Sequence, residues 1–326
     1  MTKLKTDAES LQTIVSHSTD LINKILNGNS LEVLKTIPNN SIDCCITSPP
    51  YWGLRDYGHD EQLGNEKHFK DFIDNLCNIF DEVQRVLKPT GTCFVNLGDT
   101  FNGSKVGNTS NKGYCENTII DTFKKEKTEL PNKSLCMIPE RFAIEMINRG
   151  WCLRNQVIWH KPNQMPSSAK DRFTVDFEKV FFFVKQPTDY YFEQQLEPYT
   201  SPMNRWGGEK LDANGESIWD GGTGQTTYRT RNMRPNEDGK NMRTVWSINT
   251  ESSTEAHFAT YPQRLVERML KSGCPENGIV LDPFFGSGTT GVYARKVNRN
   301  FLGIELNPEY IKIAENRLLK EIGMFL

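Results

Sequence analysis

The sequence predicts an α/β protein with a doubly wound, mostly parallel sheet covered by helices on both faces. Two observations support this fold class. Strand and helix signals alternate along most of the chain, and two apolar strands end in loops rich in proline or glycine. At 326 residues the chain can bury a large core, so we expect one extended domain with a smaller embedded region.

The first half of the chain shows three predicted strands, each followed by a predicted helix. Ser30 is placed to cap the first helix, and Lys88-Pro89-Thr90-Gly91 is expected to end the second. The predicted strands are Asn23 to Leu26, Ile42 to Ile46 and Thr92 to Leu97. The first predicted helix follows Ser30. The other two predicted helices cover Phe69 to Leu87 and Pro139 to Asn148.

The second half continues the alternation and ends in a helix. The predicted strands are Cys152 to His160, Phe177 to Val184, Ile279 to Asp282 and Phe301 to Glu305. The predicted helices are Pro262 to Lys271, one after the glycine-rich turn, and Pro308 to Leu319. In a doubly wound sheet, the strand beyond Glu305 would come from the start of the chain, which places Asn27-Gly28-Asn29 beside a bound ligand.

The loop Thr47-Ser48-Pro49-Pro50-Tyr51-Trp52 directly follows a buried strand. Two successive prolines cannot continue the strand, so the chain must turn here. The turn places a hydroxyl, carbonyl groups and two aromatic rings at the carboxyl end of a strand, where open α/β sheets bind ligands. This chemistry suits a planar, amine-bearing substrate such as a nucleobase. An ordinary strand that ends at proline is the alternative.

A second motif, Asp282-Pro283-Phe284-Phe285-Gly286-Ser287-Gly288-Thr289-Thr290-Gly291, joins a strand to a helix. Its glycines match the G-x-G-x-x-G pattern of dinucleotide sites, and the lack of a following lysine excludes a phosphate-binding P-loop. The next strand ends at Glu305, a carboxylate that can accept hydrogen bonds from ribose hydroxyls. These features predict a nucleoside site for a nicotinamide cofactor or S-adenosyl-L-methionine.

Together the two motifs resemble the amino-methylating DNA methyltransferases, over a span from about Asn23 to Leu319. In that family, Asp-Pro-Phe-x-Gly-Ser-Gly-Thr-Thr belongs to the cofactor site and Ser/Asp-Pro-Pro-Tyr to the catalytic site. Here the catalytic motif comes first, an order that resembles the circularly permuted β class. Serine at position 48 and tryptophan at position 52 make the catalytic motif most similar to that of the cytosine-N4 branch.

The resemblance implies a Rossmann-like S-adenosylmethionine-dependent methyltransferase fold with seven strands. The catalytic residues that it implies are Ser48, Pro49, Pro50 and Tyr51. The cofactor-binding residues that it implies are Asp282, Phe284, Gly286, Ser287, Gly288, Thr289, Thr290, Glu305, Asn29 and Thr260. Asn29 departs from the Gly-Asp that the family often has, and Thr260 would cap a helix whose amino terminus faces a carboxylate.

The implied reaction transfers a methyl group from S-adenosyl-L-methionine to cytosine N4 in double-stranded DNA. The base swings out of the duplex, stacks on Tyr51, and donates hydrogen bonds to the Ser48 hydroxyl and the Pro49 carbonyl. Adenine N6 is the alternative acceptor, and an RNA or small-molecule methyltransferase is a more distant one. A nicotinamide dehydrogenase would leave the Ser48-to-Tyr51 motif without a task, and a non-enzymatic DNA-binding module would need no nucleoside site.

Two regions interrupt the alternation of strands and helices. Residues 101–133 are polar and rich in glycine, which favours a mobile loop that orders over DNA, with a plain surface insertion as the alternative. Residues 186–250 resemble the family's target-recognition region and contain four candidate DNA-binding residues, Arg229, Arg231, Arg234 and Arg243. The predicted organisation is a catalytic half at 1–185, this recognition region, and a cofactor-binding half at 251–326.

Composition narrows the remaining possibilities. The net charge of −2 gives no general support for nucleic-acid binding, so DNA contacts must come from local clusters. The eight cysteines include no C-x-x-C pair, so neither a metal site nor a disulfide framework is expected. No signal region or membrane-spanning stretch is apparent, which favours the cytoplasm. A partner restriction endonuclease and a homodimer are left open.

Overall fold

The structure is a computed structural model that describes residues 21–53, 62–103, 128–199, 238–251 and 261–323. The chain divides into two units, one formed by Met1–Glu193 with Thr244–Leu326 and the other by Gln194–Arg243. In chain order the described elements are β1 (Lys24–Asn27), α1 (Ser30–Thr36), β2 (Ile42–Thr47), α2 (Phe69–Val86), β3 (Leu87–Leu97), α3 (Ile138–Asn148), β4 (Cys152–His160), β5 (Phe177–Val184), β6 (Leu196–Glu197), β7 (Lys240–Asn241), β8 (Val245–Ser247), α4 (Gln263–Gly273), β9 (Ile279–Asp282), α5 (Thr289–Lys296), β10 (Asn300–Glu305) and α6 (Pro308–Ile322).

The first unit contains a sheet whose described strands follow the order β1-β10-β9-β2-β3-β5-β4-β8. β5 is antiparallel to both of its neighbours, and every other neighbouring pair is parallel. The predicted α/β class with a mostly parallel sheet is therefore confirmed. Because parallel strands share one carboxyl edge, Thr47, Asp282 and Glu305 end at the same edge of the sheet.

The sheet has eight described strands, so the predicted count of seven was wrong. The additional strand is β8, which pairs in parallel with the end of β4 from Ile158 to His160. Of its three residues only Trp246 is buried, which is too short a pattern to show periodicity.

The start of the chain completes the sheet beyond β10, as the doubly wound topology predicted. β1 pairs in parallel with β10, and Asn27 lies opposite Glu305. The amide of Gly28 donates to the carbonyl of Glu305 at 3.0 Å, and the Asn27 side chain donates to the same carbonyl at 2.9 Å. The segment that follows β1 is thereby fixed beside the carboxyl end of β10.

Two local predictions were wrong. Asn29 rather than Ser30 caps α1, because its side-chain oxygen accepts from the amide of Leu31 at 3.0 Å. Ser30 instead donates to the carbonyl of Pro283 at 2.5 Å. Lys88-Pro89-Thr90-Gly91 does not separate helix from strand, since β3 already begins at Leu87 in register with Ile42 of β2.

Aromatic packing covers both faces of the sheet. On one face, Phe142 of α3 contacts Phe80 of α2 and Phe183 of β5, with ring centroids 5.3 and 6.1 Å apart. On the other face, Phe182 stacks on Phe94 at 4.6 Å. Successive phenylalanines of β5 thus serve opposite faces, because strand side chains alternate. None of the described helices is long and apolar enough to cross a membrane.

The described part of the second unit is a short antiparallel pairing of β6 with β7. Glu197 accepts from Arg243 at 2.5 Å and lies 3.5 Å from the ammonium of Lys240. Arg229, Arg231 and Arg234 lie outside the described residues. The unit, Gln194–Arg243, lies within the predicted region 186–250. Its role in target recognition stays a prediction.

Candidate active site

Asp282, the last residue of β9, has a carboxylate that is surrounded by protein donors. Its Oδ1 accepts from the Thr47 hydroxyl at 2.6 Å and from the Phe284 amide at 3.1 Å. Its Oδ2 accepts from the Thr290 hydroxyl at 2.6 Å and from the Tyr261 hydroxyl at 3.3 Å. Asp282 therefore joins the end of β2, the start of α5 and the residue before Pro262.

The burial of Asp282 makes this set of donors necessary. The residue is only 2% exposed, and burial raises the pKa of its carboxyl group, while the hydrogen bonds from Thr290, Thr47, Phe284 and Tyr261 lower it. A buried charge is tolerated when donors replace its water. Burial also raises the pKa of Tyr261 well above its usual value, so its hydroxyl remains a donor.

The three glycines of the turn have different structural tasks. Gly286 and Gly288 have φ angles of +53° and +79°, which side chains rarely adopt. Among the described residues, a Cβ on Gly286 would meet only the Phe284 carbonyl, at 4.0 Å, so this part of the structure leaves the backbone open to a ligand. At Gly291 a Cβ would lie 2.6 Å from the ring of Phe285, so this glycine allows close packing between α5 and that ring.

Glu305, the last residue of β10, is half-buried beside this turn. Its Oε2 accepts from the amide of Gly286 and its Oε1 from the amide of Asn307, both at 2.8 Å. Burial raises the pKa of the Glu305 carboxyl group, and these two amides oppose the rise. Each oxygen has further acceptor capacity, so Glu305 can receive two hydroxyls from a ligand.

Some of the predicted cofactor residues have other partners. The guanidinium of Arg317 on α6 donates to the Thr289 hydroxyl at 2.8 Å and to the Ser287 hydroxyl at 3.3 Å. The Asn29 side chain caps α1. Thr260 lies outside the described residues. The structure brings Asp282 into contact with Phe284 and Thr290. It brings Glu305 into contact with Gly286 in the same turn.

The proline loop presents two unengaged acceptors next to these residues. Ser48 is half-buried, and within the described part of the chain neither its hydroxyl nor the Pro49 carbonyl takes part in a hydrogen bond. Trp52 anchors the loop, because its indole donates to the Glu66 carbonyl at 2.7 Å and its ring meets Phe69 edge-on at 6.0 Å. Pro50, between the two acceptors and Trp52 in sequence, is half-buried.

Tyr51 extends from the loop toward β5. Its hydroxyl donates to Oε2 of Glu178 at 2.8 Å, and that oxygen also accepts from Asn96 at 3.1 Å. Sequence reasoning missed Glu178, Asn96 and Tyr261, because isolated polar residues in or next to regular elements give no motif. The one available signal was the position of Glu178, which is the second residue of a predicted strand.

Asn163, Pro166 and Ser167 lie in the loop after β4. The Asn163 side chain pairs with the backbone of Thr250, accepting from its amide at 2.9 Å and donating to its carbonyl at 3.1 Å. Ser167 accepts from the amide of Ala169 at 3.2 Å, and Pro166 is exposed. These contacts are those of turn residues.

Cysteine chemistry and metal binding find no support among the described residues. The described cysteines are all unpaired thiols, and burial raises the pKa of Cys274 to about 12. A thiol with such a pKa is a poor nucleophile at neutral pH. No group of three potential metal ligands occurs in the described ranges.

The fold is that of a Rossmann-like methyltransferase. A family model described as "DNA methylase", for the N6 and N4 methyltransferases, matches residues 42–316. The chain belongs to this family of S-adenosylmethionine-dependent DNA methyltransferases.

Relatives and solved structures agree with this assignment. The type II methyltransferases M.Cfr9I from Citrobacter freundii and M.SmaI from Serratia marcescens are 37% and 36% identical to this chain. The matches cover 91% of this chain in both cases, and 88% and 91% of those proteins. The chain is thus a type II DNA methyltransferase of the N4/N6 family.

Among solved structures, the cytosine-N4-specific PvuII DNA methyltransferase is 21% identical, with a TM-score of 0.57 over 91% of this chain and 86% of that chain. A DNA modification methylase from Thermus thermophilus, complexed with S-adenosyl-L-methionine, is 21% identical, with a TM-score of 0.55 over 92% of this chain and 96% of that chain. At this identity the likeness shows the fold. The predicted family, fold class and methyl donor are confirmed.

Replacing Asp282 with alanine should lower the free energy of unfolding by about 3 kcal/mol, because it leaves buried donors without an acceptor. Asp282→Asn keeps the volume but exchanges one acceptor for a donor, so its effect should be smaller. Urea denaturation measures both. Asp171→Ala is the control, since it removes a carboxylate with one exposed ion pair, to Lys133, and should cost less than about 1 kcal/mol. Equal destabilisation by Asp282→Ala and Asp171→Ala would contradict this role.

Proposed function

We propose that the protein transfers a methyl group from S-adenosyl-L-methionine to N4 of cytosine at specific sites in double-stranded DNA. The observation that carries this proposal is the pair of unengaged acceptors, the Ser48 hydroxyl and the Pro49 carbonyl, joined to the glycine turn through Thr47 and Asp282. An amino group held by these acceptors would face a methyl donor held by the turn.

The residues around the turn fit S-adenosyl-L-methionine. Glu305 would receive the two ribose hydroxyls, since both of its oxygens have spare acceptor capacity. The open backbone at Gly286 allows a ligand to approach closely, and Phe284 is partly exposed beside it. Gly288 would shape the turn, while Ser287 and Thr289 would act through their backbone. Asn29 and Thr260 stay weaker candidates. When bound, the cofactor supplies a methyl group already activated on a sulfonium.

The protein's part in the reaction is alignment. The amino nitrogen of cytosine is a poor nucleophile, because its lone pair is delocalised into the ring. Hydrogen bonds to Ser48 and Pro49 would favour a more tetrahedral nitrogen with an available lone pair, and Pro50 would keep the loop rigid. Tyr51 would stack on the base once it has left the duplex. Direct, in-line transfer would require no covalent bond to the protein, and the methylated nitrogen would release one proton to water.

Serine at position 48 favours cytosine over adenine, because the adenine-N6 branch usually has aspartate or asparagine there. The cytosine-N4-specific PvuII enzyme has a similar fold. That similarity concerns the fold and does not bear on which base this chain methylates. Both amino groups offer two hydrogens, so adenine N6 is the competing product.

DNA recognition is proposed for residues 186–250, with the 101–133 loop closing over the duplex. Arg229, Arg231 and Arg234 would contact bases and phosphates, and Arg243 would do so after leaving its exposed ion pair with Glu197. The type II names of the relatives support a restriction endonuclease that acts on the same site. A cytoplasmic location and a homodimer stay predictions.

Glu305→Gln should weaken binding of S-adenosyl-L-methionine about tenfold or more, since hydrogen bonds to a charged group contribute about 1.5–3 kcal/mol. Isothermal titration calorimetry with the folded variant measures this. Glu309→Gln is the matched control, because Glu309 is an exposed acid in the first turn of α6. Unchanged affinity in Glu305→Gln would remove Glu305 from the cofactor site.

The triple replacement of Arg229, Arg231 and Arg234 by alanine should weaken DNA binding and reduce its salt slope by about 0.9 for each phosphate that is no longer neutralised. Cofactor affinity should not change. Arg243→Ala should have a smaller effect, because Arg243 is already paired. The control removes three lysines from last turns of helices, Lys35, Lys271 and Lys320. If both triple variants bind alike, recognition lies elsewhere.

DNA methylated by the purified protein should contain N4-methylcytosine after nuclease digestion and mass spectrometry. Ser48→Ala serves as the control for background methylation and should give a much weaker signal, because it removes one acceptor. Detection of N6-methyladenine alone would overturn the choice of base while leaving the cofactor site in place. Absence of both products would overturn the function itself.

A further inference from the structure

Next to the catalytic loop, the carboxylate of Glu178 accepts hydrogen bonds from three separate segments. Its Oε2 accepts from the Tyr51 hydroxyl at 2.8 Å and from the Asn96 amide group at 3.1 Å. Its Oε1 accepts from the ammonium of Lys161. Because β5 runs antiparallel to β3 and β4, its amino end lies where those strands end, and Glu178 can reach Tyr51.

The position of this carboxylate is fixed independently of Tyr51. Lys161 neutralises its charge and lies 4.4 Å from the centre of the Trp159 ring, with the Lys161 and Glu178 side chains only 13% and 17% exposed. Asn96 donates both to Glu178 and to the carbonyl of Lys179, at 3.2 Å. A carboxylate held by two strands and a balancing cation is a firm anchor, because ion pairs shielded from solvent are little screened.

The ring of Tyr51 is confined at a second point. A Cβ on Gly98 would lie 2.6 Å from Cε2 of Tyr51 and 3.2 Å from both Cδ2 and Cζ. The backbone at Gly98 therefore packs directly against one edge of the ring. With its hydroxyl bonded to Glu178 and this edge against Gly98, the ring is held in one plane.

We propose that Glu178 is a positioning residue, which holds the Tyr51 ring in the plane where the extruded base stacks. The inference rests on the stacking role proposed for Tyr51. An aromatic surface that is already oriented lowers the cost of ordering the base for reaction. Glu178 acts through Tyr51 and touches neither the base nor the cofactor.

The kinetic test is a double-mutant cycle in the full-length protein with Glu178→Gln, Tyr51→Phe and the double variant. Single-turnover methyl transfer to DNA is measured at saturating cofactor. Each single variant should be about tenfold slower, as expected for the removal of a hydrogen bond to a charged group. The double variant should be no slower than the slower single variant, because both changes remove the same hydrogen bond. Affinity for S-adenosyl-L-methionine should not change.

Glu140→Gln is the matched control, because Glu140 pairs with Lys179, the residue after Glu178, and is 25% exposed. It breaks an ion pair of similar burial that does not contact Tyr51, so the methyl-transfer rate should stay at the wild-type value. A double variant about a hundredfold slower than wild type would overturn the proposal, as would an equal reduction in rate in Glu140→Gln.

A spectroscopic readout separates this inference from the proposed function. With 3-fluorotyrosine incorporated, the ¹⁹F signal of Tyr51 is assigned from the Tyr51→Phe spectrum. A ring held in one plane should give two resolved resonances for the two positions of the fluorine, and Glu178→Gln should merge them into one. An unchanged pattern in Glu178→Gln would overturn the role of Glu178, even if the wild-type protein fails to methylate DNA. Methylation of adenine instead of cytosine would leave this role standing.

Discussion

The buried carboxylate of Asp282 is the constraint on which the site depends. A charge with 2% exposure is stable only when several donors replace the water around it, and here they come from Thr47, Phe284, Thr290 and Tyr261. Thr47 and Tyr261 lie outside the segment that contains Asp282, Phe284 and Thr290, and Thr47 is 235 residues away from Asp282. The end of β2 and the start of α5 must therefore be in place together. One side chain thus fixes the spacing between the proposed seats of the methyl acceptor and the methyl donor.

The three carboxylates at this edge of the sheet, Asp282, Glu305 and Glu178, have different hydrogen-bond partners and different roles. Asp282 is saturated by its own protein, so it organises the site. Glu305 holds two backbone amides and keeps acceptor capacity for a ligand. Glu178 orients an aromatic ring from the opposite side of the proline loop. This division suits methyl transfer from an activated donor, for which alignment matters more than acid–base chemistry.

Features that depend on local sequence could be predicted. The strands that end at Asp282 and Glu305, the turn between them and the proline loop all follow from short patterns, and the pairing of β1 with β10 followed from topology. Features that depend on tertiary register could not. β8 is only three residues long, and the hydrogen bond from Tyr51 to Glu178 requires the antiparallel register of β5. The hydrogen bond from Arg317 to Thr289 requires the packing of α6 on the turn, which no motif encodes. The choice between Asn29 and Ser30 as the cap of α1 could not be made from sequence, because asparagine and serine are both common at that position.

The most direct test of the account is the affinity of a Thr47→Val variant for S-adenosyl-L-methionine, measured by calorimetry. Valine keeps the shape and the strand preference of threonine and removes only the hydroxyl that donates to Asp282. Thr47 is at the end of β2, which lies outside the glycine-rich turn that follows Asp282. Removal of this hydrogen bond should nevertheless loosen that turn and weaken cofactor binding several-fold. Thr36→Val, which removes an exposed hydroxyl on α1, should bind as the wild type does. Wild-type affinity in Thr47→Val would contradict the claim that Asp282 couples the two halves of the site.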